Sequence, residues 1–318
     1  MFARAAALAL LSAGAAAADF PAKPVRLILG FPPGGATDLV ARAMQPRMSA
    51  GLGQQLVIDN RPGANGIISC ELTARADPDG HTLLFGHIGS LVISPVIQKV
   101  PYDPVKDFAP VGQVVQLQNI LITHPTLAAR SMKEFIALAK TKPGQINYAS
   151  SGIGSPGHLA AVLLESMAKI QITHVPYKGG GPAITDLLAG HVPAFFAVIS
   201  TGVPHVQAGK IRGIAVTGNR RAEAVPDVPT IAESGVTGYA ATNWYGLLAP
   251  AKTPPAVIDR INREMTAALK APEVVEGLRS RGIDSAPNSP AEFSAFIRAE
   301  AVKWRPVVMQ SGIKPDGA

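Results

Sequence analysis

The sequence predicts an α/β fold with mainly parallel strands, because apolar strand-like runs alternate with helical patterns along the chain. A strand–loop–helix unit with a glycine-rich loop occurs once in each half, as LILGFPPGGATDLV and as INYASSGIGSPGHLAAVLL. Open α/β sheets bind ligands beyond the carboxyl ends of their strands. Two such loops, one in each of two lobes, are therefore expected to face each other across a cleft.

Each predicted strand is a short apolar run bounded by glycine, proline or polar residues. In chain order the predicted strands are residues 25–31, 56–60, 82–86, 111–115, 119–124, 146–150, 172–176, 194–199, 212–217 and 244–248. The segments between them carry apolar residues at helical spacing, so helices are expected to connect the strands.

Several helices have start signals that can be identified in the sequence. Ser131 opens the capping box SMKE, and Ser289 opens SPAE, which adds a proline at the first helical position. Thr253, followed by proline, is expected to cap a helix whose first residue is Pro254. Pro46 lies inside the first helical pattern and is expected to kink or shorten that helix.

The N-terminus, MFARAAALALLSAGAAAADF, has the pattern of an export signal. Arg4 precedes an apolar stretch over residues 5–11, and a small-residue run then allows cleavage after Ala18 by the A-x-A pattern. The apolar stretch is too short to span a bilayer, which needs about 20 residues. Residues 1–18 are thus predicted to be a cleaved export signal peptide; the alternative is an alanine-rich first helix of a cytosolic protein.

Composition limits the possible functions. The formal net charge is +7, but the basic residues are scattered and there are only two Trp and five Tyr, so a nucleic-acid partner is not expected. The diffuse positive charge modestly favours encounter with small anions. Cys70 is the only cysteine, which excludes an internal disulfide, and it lies too far from the cleavage site to carry a lipid anchor.

The loop GFPPGGATD, residues 30–38, fits a cradle for a small anion. Gly34 and Gly35 allow backbone N–H groups to converge, and the following helix presents further N–H groups and the positive end of its dipole. Asp38 is expected to cap and brace this loop rather than to contact the ligand. A tight strand-to-helix turn without a ligand is the alternative, and the loop alone does not decide between the two.

The second glycine loop, Gly152–Gly157, matches the dinucleotide pattern G-x-G-x-x-G. The next strand ends without the expected acidic residue and is followed by Lys178, so an NADP-binding enzyme remains one alternative. Ser155 as N-cap and Pro156 as first helical residue instead favour an ordinary helix start. With the hydroxyl of Ser151 nearby, the loop fits a small-anion pocket better than a pyrophosphate groove.

Two further glycine-containing loops follow predicted strands. In HVPYKGGG, Tyr177 is the better candidate for the cleft because its hydroxyl can donate from an apolar wall, and Lys178 is interpreted as a solvated loop lysine. NRPGANG, residues 60–66, is interpreted as a structural turn. The seven histidines show no metal-binding spacing, and no nucleophile elbow or P-loop is present, so no metal, cofactor or catalytic residue is expected.

Seven blocks in order carry a resemblance that covers essentially the whole mature chain: VRLILGFPPGGATDLVAR, VIDNRPGANG, YASSGIGSPGHLA, HVPYKGGGPAITDLLAGHV, HVQAGKIRGIAVTG, VPDVPTIAESG and WYGLLAPAKTPP. The chain resembles Bug-type receptors, the TctC-like substrate-binding proteins of tripartite tricarboxylate transporters. This resemblance implies a periplasmic, monomeric, two-lobed binding protein of type II that closes on a small carboxylate and is not an enzyme. Its implied partners are the membrane permease subunits; a sensory module that signals to a membrane sensor is the other alternative.

The resemblance also implies ligand-binding positions, because such receptors hold a carboxylate by backbone amides and hydroxyls, largely without an arginine clamp. Together with Tyr177, the expected positions of the binding site are Phe31, Gly34, Gly35, Ala36, Asp38, Ser90, Ser151, Gly152, Ser155, Ser200 and Thr201, with Asp38 included as the brace of the first loop.

The resemblance implies two lobes, between which the chain crosses twice. Lobe 1 is expected to comprise residues 19–118 and 228–318, and lobe 2 residues 119–227. Hinge crossings are expected near residues 116–124 and 219–230, with an open form and a ligand-bound closed form.

Overall fold

The computed structural model describes residues 20–311 and residue 313; the predicted signal peptide lies outside these residues. The strands are β1 Val25–Leu29, β2 Leu56–Asn60, β3 Thr82–His87, β4 Phe108–Thr123, β5 Asn147–Ser150, β6 Thr173–Pro176, β7 Ala194–Val198, β8 Arg212–Val216, β9 Thr242–Pro250 and β10 Ile283–Ser285. The helices are α1 Ala36–Leu52, α2 Ile67–Ala74, α3 Ser94–Ile97, α4 Met132–Thr141, α5 Pro156–Ala168, α6 Gly180–Leu188, α7 Ile199–Gln207, α8 Pro255–Lys270, α9 Pro272–Arg279 and α10 Pro290–Ser311.

All the predicted strands occur, with two differences. The runs 111–115 and 119–124 belong to one long strand, β4, because residues 116–118 between them continue the pairing with β9. The three-residue strand β10 was not predicted, since so short a segment has no readable alternation.

The strands join in the order β2-β1-β3-β9-β4-β7-β5-β6, with β8 and β10 also paired to β4. The predicted parallel pairing occurs on both sides, among β1, β2 and β3 and among β5, β6 and β7. The middle of the sheet differs from the predicted parallel pairing. Strand β9 is antiparallel to both β3 and β4, and β4 is antiparallel to β7 and β8.

One strand, β4, carries the chain from the first half to the second. Its residues up to Gln118 pair with β9, whereas Asn119 and the residues after it pair with β7 and β8. The first passage therefore lies within the predicted range of 116–124. A single continuous strand at this point allows the two halves to move as bodies about a narrow connection.

The return passage lies later in the chain than residues 219–230. Ile231 N–H still donates to the carbonyl oxygen of Val216 in β8 at 3.0 Å. Ala241 N–H then donates to Thr217 O at 2.8 Å, and Thr242 pairs with Gln118 in the first half. The return therefore falls at residues 241–242. The assignment of residues to the two lobes stays a prediction.

Of the helix-start signals at Ser131, Thr253 and Ser289, the structure follows those at the two serines. Ser131 Oγ accepts the N–H of Glu134 at 3.2 Å, and Ser289 Oγ accepts that of Glu292 at 3.3 Å, so both serines are N-caps as predicted. The reciprocal bond of a capping box occurs at Ser289, whose N–H donates to Glu292 Oε2 at 2.8 Å, whereas Glu134 Oε2 accepts the N–H of Arg130. The Thr253 prediction is wrong by one residue: α8 begins at Pro255, and the Thr253 hydroxyl instead donates to Pro250 O at 2.8 Å.

Pro46 does not shorten α1, which continues to Leu52. Pro46 itself is exposed, and the flanking side chains of Met44 and Met48 are fully buried against the sheet. Their burial offsets the backbone hydrogen bond that proline cannot donate. Within the described residues, no helix combines the length and the apolar character that crossing a membrane requires.

Candidate functional site

The first glycine loop connects β1 to α1 and leaves helical amides free at its end. Gly34 has φ of 80°, a left-handed conformation that glycine adopts without strain. The first helical hydrogen bond runs from Leu39 N–H to Gly35 O at 3.0 Å. The amides of Ala36 and Thr37 therefore have no acceptor within the helix, and they lie at the positive end of its dipole.

Asp38 holds this loop from behind. The residue is 3 % exposed, and its Oδ2 accepts hydrogen bonds from Gly34 N–H at 3.0 Å and from Arg42 Nε–H at 2.8 Å. Burial alone raises the pKa of Asp38, but the hydrogen bonds from Arg42 and Gly34 outweigh it and the net pKa is lowered. The carboxylate is thus charged at neutral pH and fixes the turn that Gly34 makes.

The second glycine loop connects β5 to α5 and is closed by its own serines. Ser150 Oγ donates to Gly152 O at 3.0 Å and accepts Gly152 N–H at 3.1 Å. Ser155 is the N-cap of α5, its Oγ accepting His158 N–H at 3.5 Å, and Pro156 is the first helical residue, as predicted. The loop therefore ends in a second helix start that points toward the first half.

Two adjoining cavities lie between these loops. The smaller holds about 60 Å³ and is lined from the first half by Phe31, Gly35, Ala36 and Thr37 and from the second by Ser151, Gly180, Gly181 and Thr201, among others. The larger holds about 830 Å³ and opens outward. Phe31, Pro32 and Ser151 line both cavities, so the two loops face one continuous cleft.

The expected ligand-binding residues divide into three groups. Phe31, Gly35, Ala36, Ser151 and Thr201 line the small cavity. Phe31 and Ser151 line the large cavity as well, together with Gly152 and Tyr177. The third group lines neither cavity and comprises Gly34, Asp38, Ser90, Ser155 and Ser200.

The residues outside the cavities have other contacts. The hydroxyl of Ser90 donates to His87 O at 3.4 Å, and Ser90 is buried behind the site. Ser200 is 5 % exposed, and its Oγ has no hydrogen-bond partner among the described residues. Tyr177 borders the large cavity, but its hydroxyl donates to Asp186 Oδ2 at 2.8 Å, so the ring rather than the hydroxyl forms the wall.

Sequence reasoning missed several lining residues. Thr37 lies inside the GGATD motif, and its buried Oγ1 has no partner among the described residues, so a hydroxyl in a glycine loop was the available signal. Gly180 and Gly181 belong to the YKGGG segment, in which the prediction names Tyr177 alone. His87 belongs to no motif, and Asn65 belongs to NRPGANG, which is interpreted as a structural turn alone.

The small cavity is an electrically neutral, donor-rich site. None of the residues that line it is Lys or Arg. Its histidine, His87, is 2 % exposed, and burial lowers the pKa of its ring to about 4, so the ring is uncharged at neutral pH. Positive potential therefore comes from the amides and dipole of α1, which suits one small anionic group.

A family model described as tripartite tricarboxylate transporter family receptor, TctC, matches residues 40–313. The chain belongs to this receptor family. The TctC receptor is also 34% identical to Protein BugT of Bordetella pertussis over 97% of this chain and 95% of the relative.

Two solved structures of relatives share the fold closely. Rpa4515 of R. palustris, solved with adipate, is 34% identical with a TM-score of 0.90 over 93% of this chain and 100% of that one. MatC from Rhodopseudomonas palustris, solved with bound malate, is 32% identical with a TM-score of 0.86 over 91% and 100%. The predicted two-lobed periplasmic-binding-protein fold is confirmed by these neighbours.

Membership of the family also decides between the sequence hypotheses. A TctC receptor is a substrate-binding protein rather than an enzyme, so the hypothesis of an NADP-dependent enzyme is wrong. The G-x-G-x-x-G match has a local explanation, since Gly152 and Gly154 both adopt left-handed φ values, 132° and 70°, in a turn before a serine-capped helix.

Proposed function

We propose that this TctC receptor works in the periplasm, captures a small carboxylate between its two lobes and delivers it to the membrane subunits of a tripartite tricarboxylate-type transporter. The observation that carries the proposal is the small cavity, where free amides of α1 face the hydroxyls of Ser151 and Thr201 from the other half. The relatives solved with adipate and malate support a carboxylate as the ligand.

The cavity suits a carboxylate for a physical reason. Its two oxygens can accept several hydrogen bonds, each of about 1.5–3 kcal/mol when one partner is charged. Four or five such bonds are enough to offset the cost of association and to give affinity near micromolar, about −8 kcal/mol. The expected grip is by neutral donors, with Asp38 bracing the first loop from outside the cavity.

Capture is coupled to closure because the donors come from both halves. With the ligand bound, the loops of both halves are bridged, and the population shifts toward the closed form. The hinge is the narrow connection at residues 118–119 and 241–242. We propose that the permease subunits recognise this closed form.

The proposal is tested by calorimetric titration and thermal shift with a panel of mono-, di- and tricarboxylates. A carboxylate at 100 times its Kd is expected to add about 2.7 kcal/mol to the free energy of unfolding. Ser151→Ala and Thr201→Val should each lower its affinity about tenfold, the effect of one lost hydrogen bond to a charged group.

Ser166→Ala is the matched control, since Ser166 is exposed on α5 and lines neither cavity of the cleft. Its affinity should equal that of the wild type. A flat response across the panel, or equal losses in all three variants, contradicts the proposal. For delivery, uptake of the identified acid into cells should require both the receptor and the permease subunits.

A further inference from the structure

Asn65 lies in the NRPGANG loop after β2 and lines the large cavity. Its backbone is left-handed, with φ of 51° and ψ of 40°. Asparagine tolerates this conformation better than other non-glycine residues, but glycine would fit it with less strain. The turn itself therefore does not require the carboxamide.

The side-chain carboxamide of Asn65 makes no hydrogen bond to the described residues through either its nitrogen or its oxygen. Both Nδ2 and Oδ1 are shielded from solvent, and neither has a hydrogen-bond partner among residues 20–311 and 313. Buried polar groups are nearly always hydrogen-bonded, so an amide with both ends unpaired needs an explanation. Nδ2 provides donors and Oδ1 an acceptor, so a single ligand group that both donates and accepts would satisfy them.

The amide lies between the two halves of the molecule. A Cβ atom built on Gly89, in the first half, would be 2.6 Å from Nδ2, and one built on Gly154, in the second-half loop, would be 3.4 Å from it. Ile93 and Ile97 lie at the same distance from that Gly154 position. Asn65 is therefore a polar group with apolar neighbours at the inner edge of the cleft.

The charges around Asn65 disfavour a second carboxylate there. His87 Nδ1 accepts the N–H of Gly89 at 3.0 Å, and burial lowers the pKa of this ring to about 4, so it supplies no positive charge. Lys178 is the single Lys or Arg among the described residues that line the large cavity, and it is exposed. A carboxylate at Asn65 would lack both a neighbouring cation and the free amides of α1 that serve the small cavity, so its desolvation would be unfavourable.

We propose that Asn65 is a specificity-determining residue that hydrogen-bonds a neutral hydroxyl or carboxamide of the ligand, beyond the carboxylate held by the two loops. The ligand class is thus a carboxylate that carries such a group on an apolar body, for which the 830 Å³ cavity has ample room. The inference rests on the proposed function, since the cleft must first hold a carboxylate.

Titration calorimetry with two matched trios of acids tests the inference: hexanoate, its ω-hydroxy derivative and adipate, and benzoate, para-hydroxybenzoate and terephthalate. In the wild type, the hydroxy acid of at least one trio should bind about tenfold more tightly than its parent acid. Asn65→Gly keeps the left-handed backbone and removes the amide. It should reduce this preference, the ratio of the two affinities within one variant, to less than about threefold.

A second variant, Asn65→Asp, tests the inference independently if Asn65→Gly does not fold. Asn65→Asp keeps the shape and the tolerance of the left-handed backbone but removes the donor. Acids with an oxo group in place of the hydroxyl only accept hydrogen bonds, so the aspartate variant should lose any preference for them over the parent acid. The melting temperature of each variant without ligand shows whether it is folded.

The outcomes separate this inference from the proposed function. Equal binding of parent and hydroxy acids by the wild type, or a preference that survives both substitutions, overturns the inference and leaves the proposed function standing. Tightest binding of the diacids, lost in Lys178→Met, overturns it in favour of a second carboxylate. Failure of every acid to bind overturns the proposed function and the inference with it.

Discussion

Replacing Asp38 with alanine is expected to lower the affinity for the carboxylate at least about tenfold and the free energy of unfolding by about 1–3 kcal/mol. The carboxylate is buried and accepts the N–H of Gly34 at 3.0 Å and Nε of Arg42 at 2.8 Å. Without it, Gly34 is no longer tied to the first turn of α1. The amides of Ala36 and Thr37 then lose their fixed direction, although no atom of Asp38 lines the cavities.

Arg42→Ala is the matched control, because it removes the ion pair but leaves the bond from Gly34 to Asp38. The Arg42 side chain is 54% exposed, so the pair contributes about 1 kcal/mol or less. Affinity measured by calorimetry should change less than about threefold in this variant. If Arg42→Ala weakens binding as much as Asp38→Ala, the bond to Gly34 is not what organises the loop.

The same carboxylate should give an acid-dependent stability difference. Its folded-state pKa is lowered, because the hydrogen bonds outweigh the effect of burial. The stabilisation is thus fully present above the unfolded-state value of about 3.9 and is lost as the pH falls through the folded-state value. The difference in melting temperature between wild type and Asp38→Asn should accordingly be constant near neutral pH and shrink below about pH 4.

Replacing Gly157 with alanine is expected to lower the free energy of unfolding by about 3 kcal/mol or more. Gly157 lies in the first turn of α5, and a Cβ atom there would be 2.2 Å from the backbone oxygen of Phe196 in β7. Since the obstacle is backbone, no side-chain rotation relieves it, and α5 must shift from the sheet. The loop that carries Ser151 and Gly152 would move with it, so ligand affinity should fall too.

Gly277→Ala provides the matched comparison in denaturant unfolding. Gly277 is a helical glycine in α9, and a Cβ atom there would have no other atom within 4 Å. Alanine should therefore stabilise the protein by about 0.5–1 kcal/mol through its better helix propensity. An unfolding midpoint for Gly157→Ala equal to that of the wild type would show that α5 does not pack this closely on β7.

The parts of the site that the sequence predicts are those encoded locally. Gly34 and Asp38 belong to a strand-to-helix turn whose chemistry is set by adjacent residues, and Ser155 with Pro156 marks a helix start in the same way. Both loops lie at the ends of strands, as expected for an α/β protein. The neighbours across the cleft add what local patterns lack, because Ser151 and Thr201 of the other half complete the cavity that Thr37 lines.

The features that sequence reasoning missed depend on packing between distant segments. NRPGANG has strong turn signals, and Asn65 does lie in a turn. Its side-chain amide is buried next to Gly154 of the other half, without a hydrogen-bond partner in the described part of the chain, and this contact between distant segments cannot be predicted from the local sequence. The return passage at residues 241–242 is fixed by the hydrogen bond from Ala241 N–H to Thr217 O. No local sequence pattern predicts this pairing. Pro46 was expected to act on the helix alone, but the buried neighbours Met44 and Met48 decide the outcome.

The most direct measurement is a crystal structure of the receptor with the tightest-binding carboxylate of the panel. The expected result is a carboxylate in the small cavity, within about 3 Å of the amide of Ala36 or Thr37 and of the hydroxyl of Ser151 or Thr201. No Lys or Arg side chain should lie within about 4 Å of it. A carboxylate paired with Lys178, or bound outside the cleft between the two loops, would contradict the account.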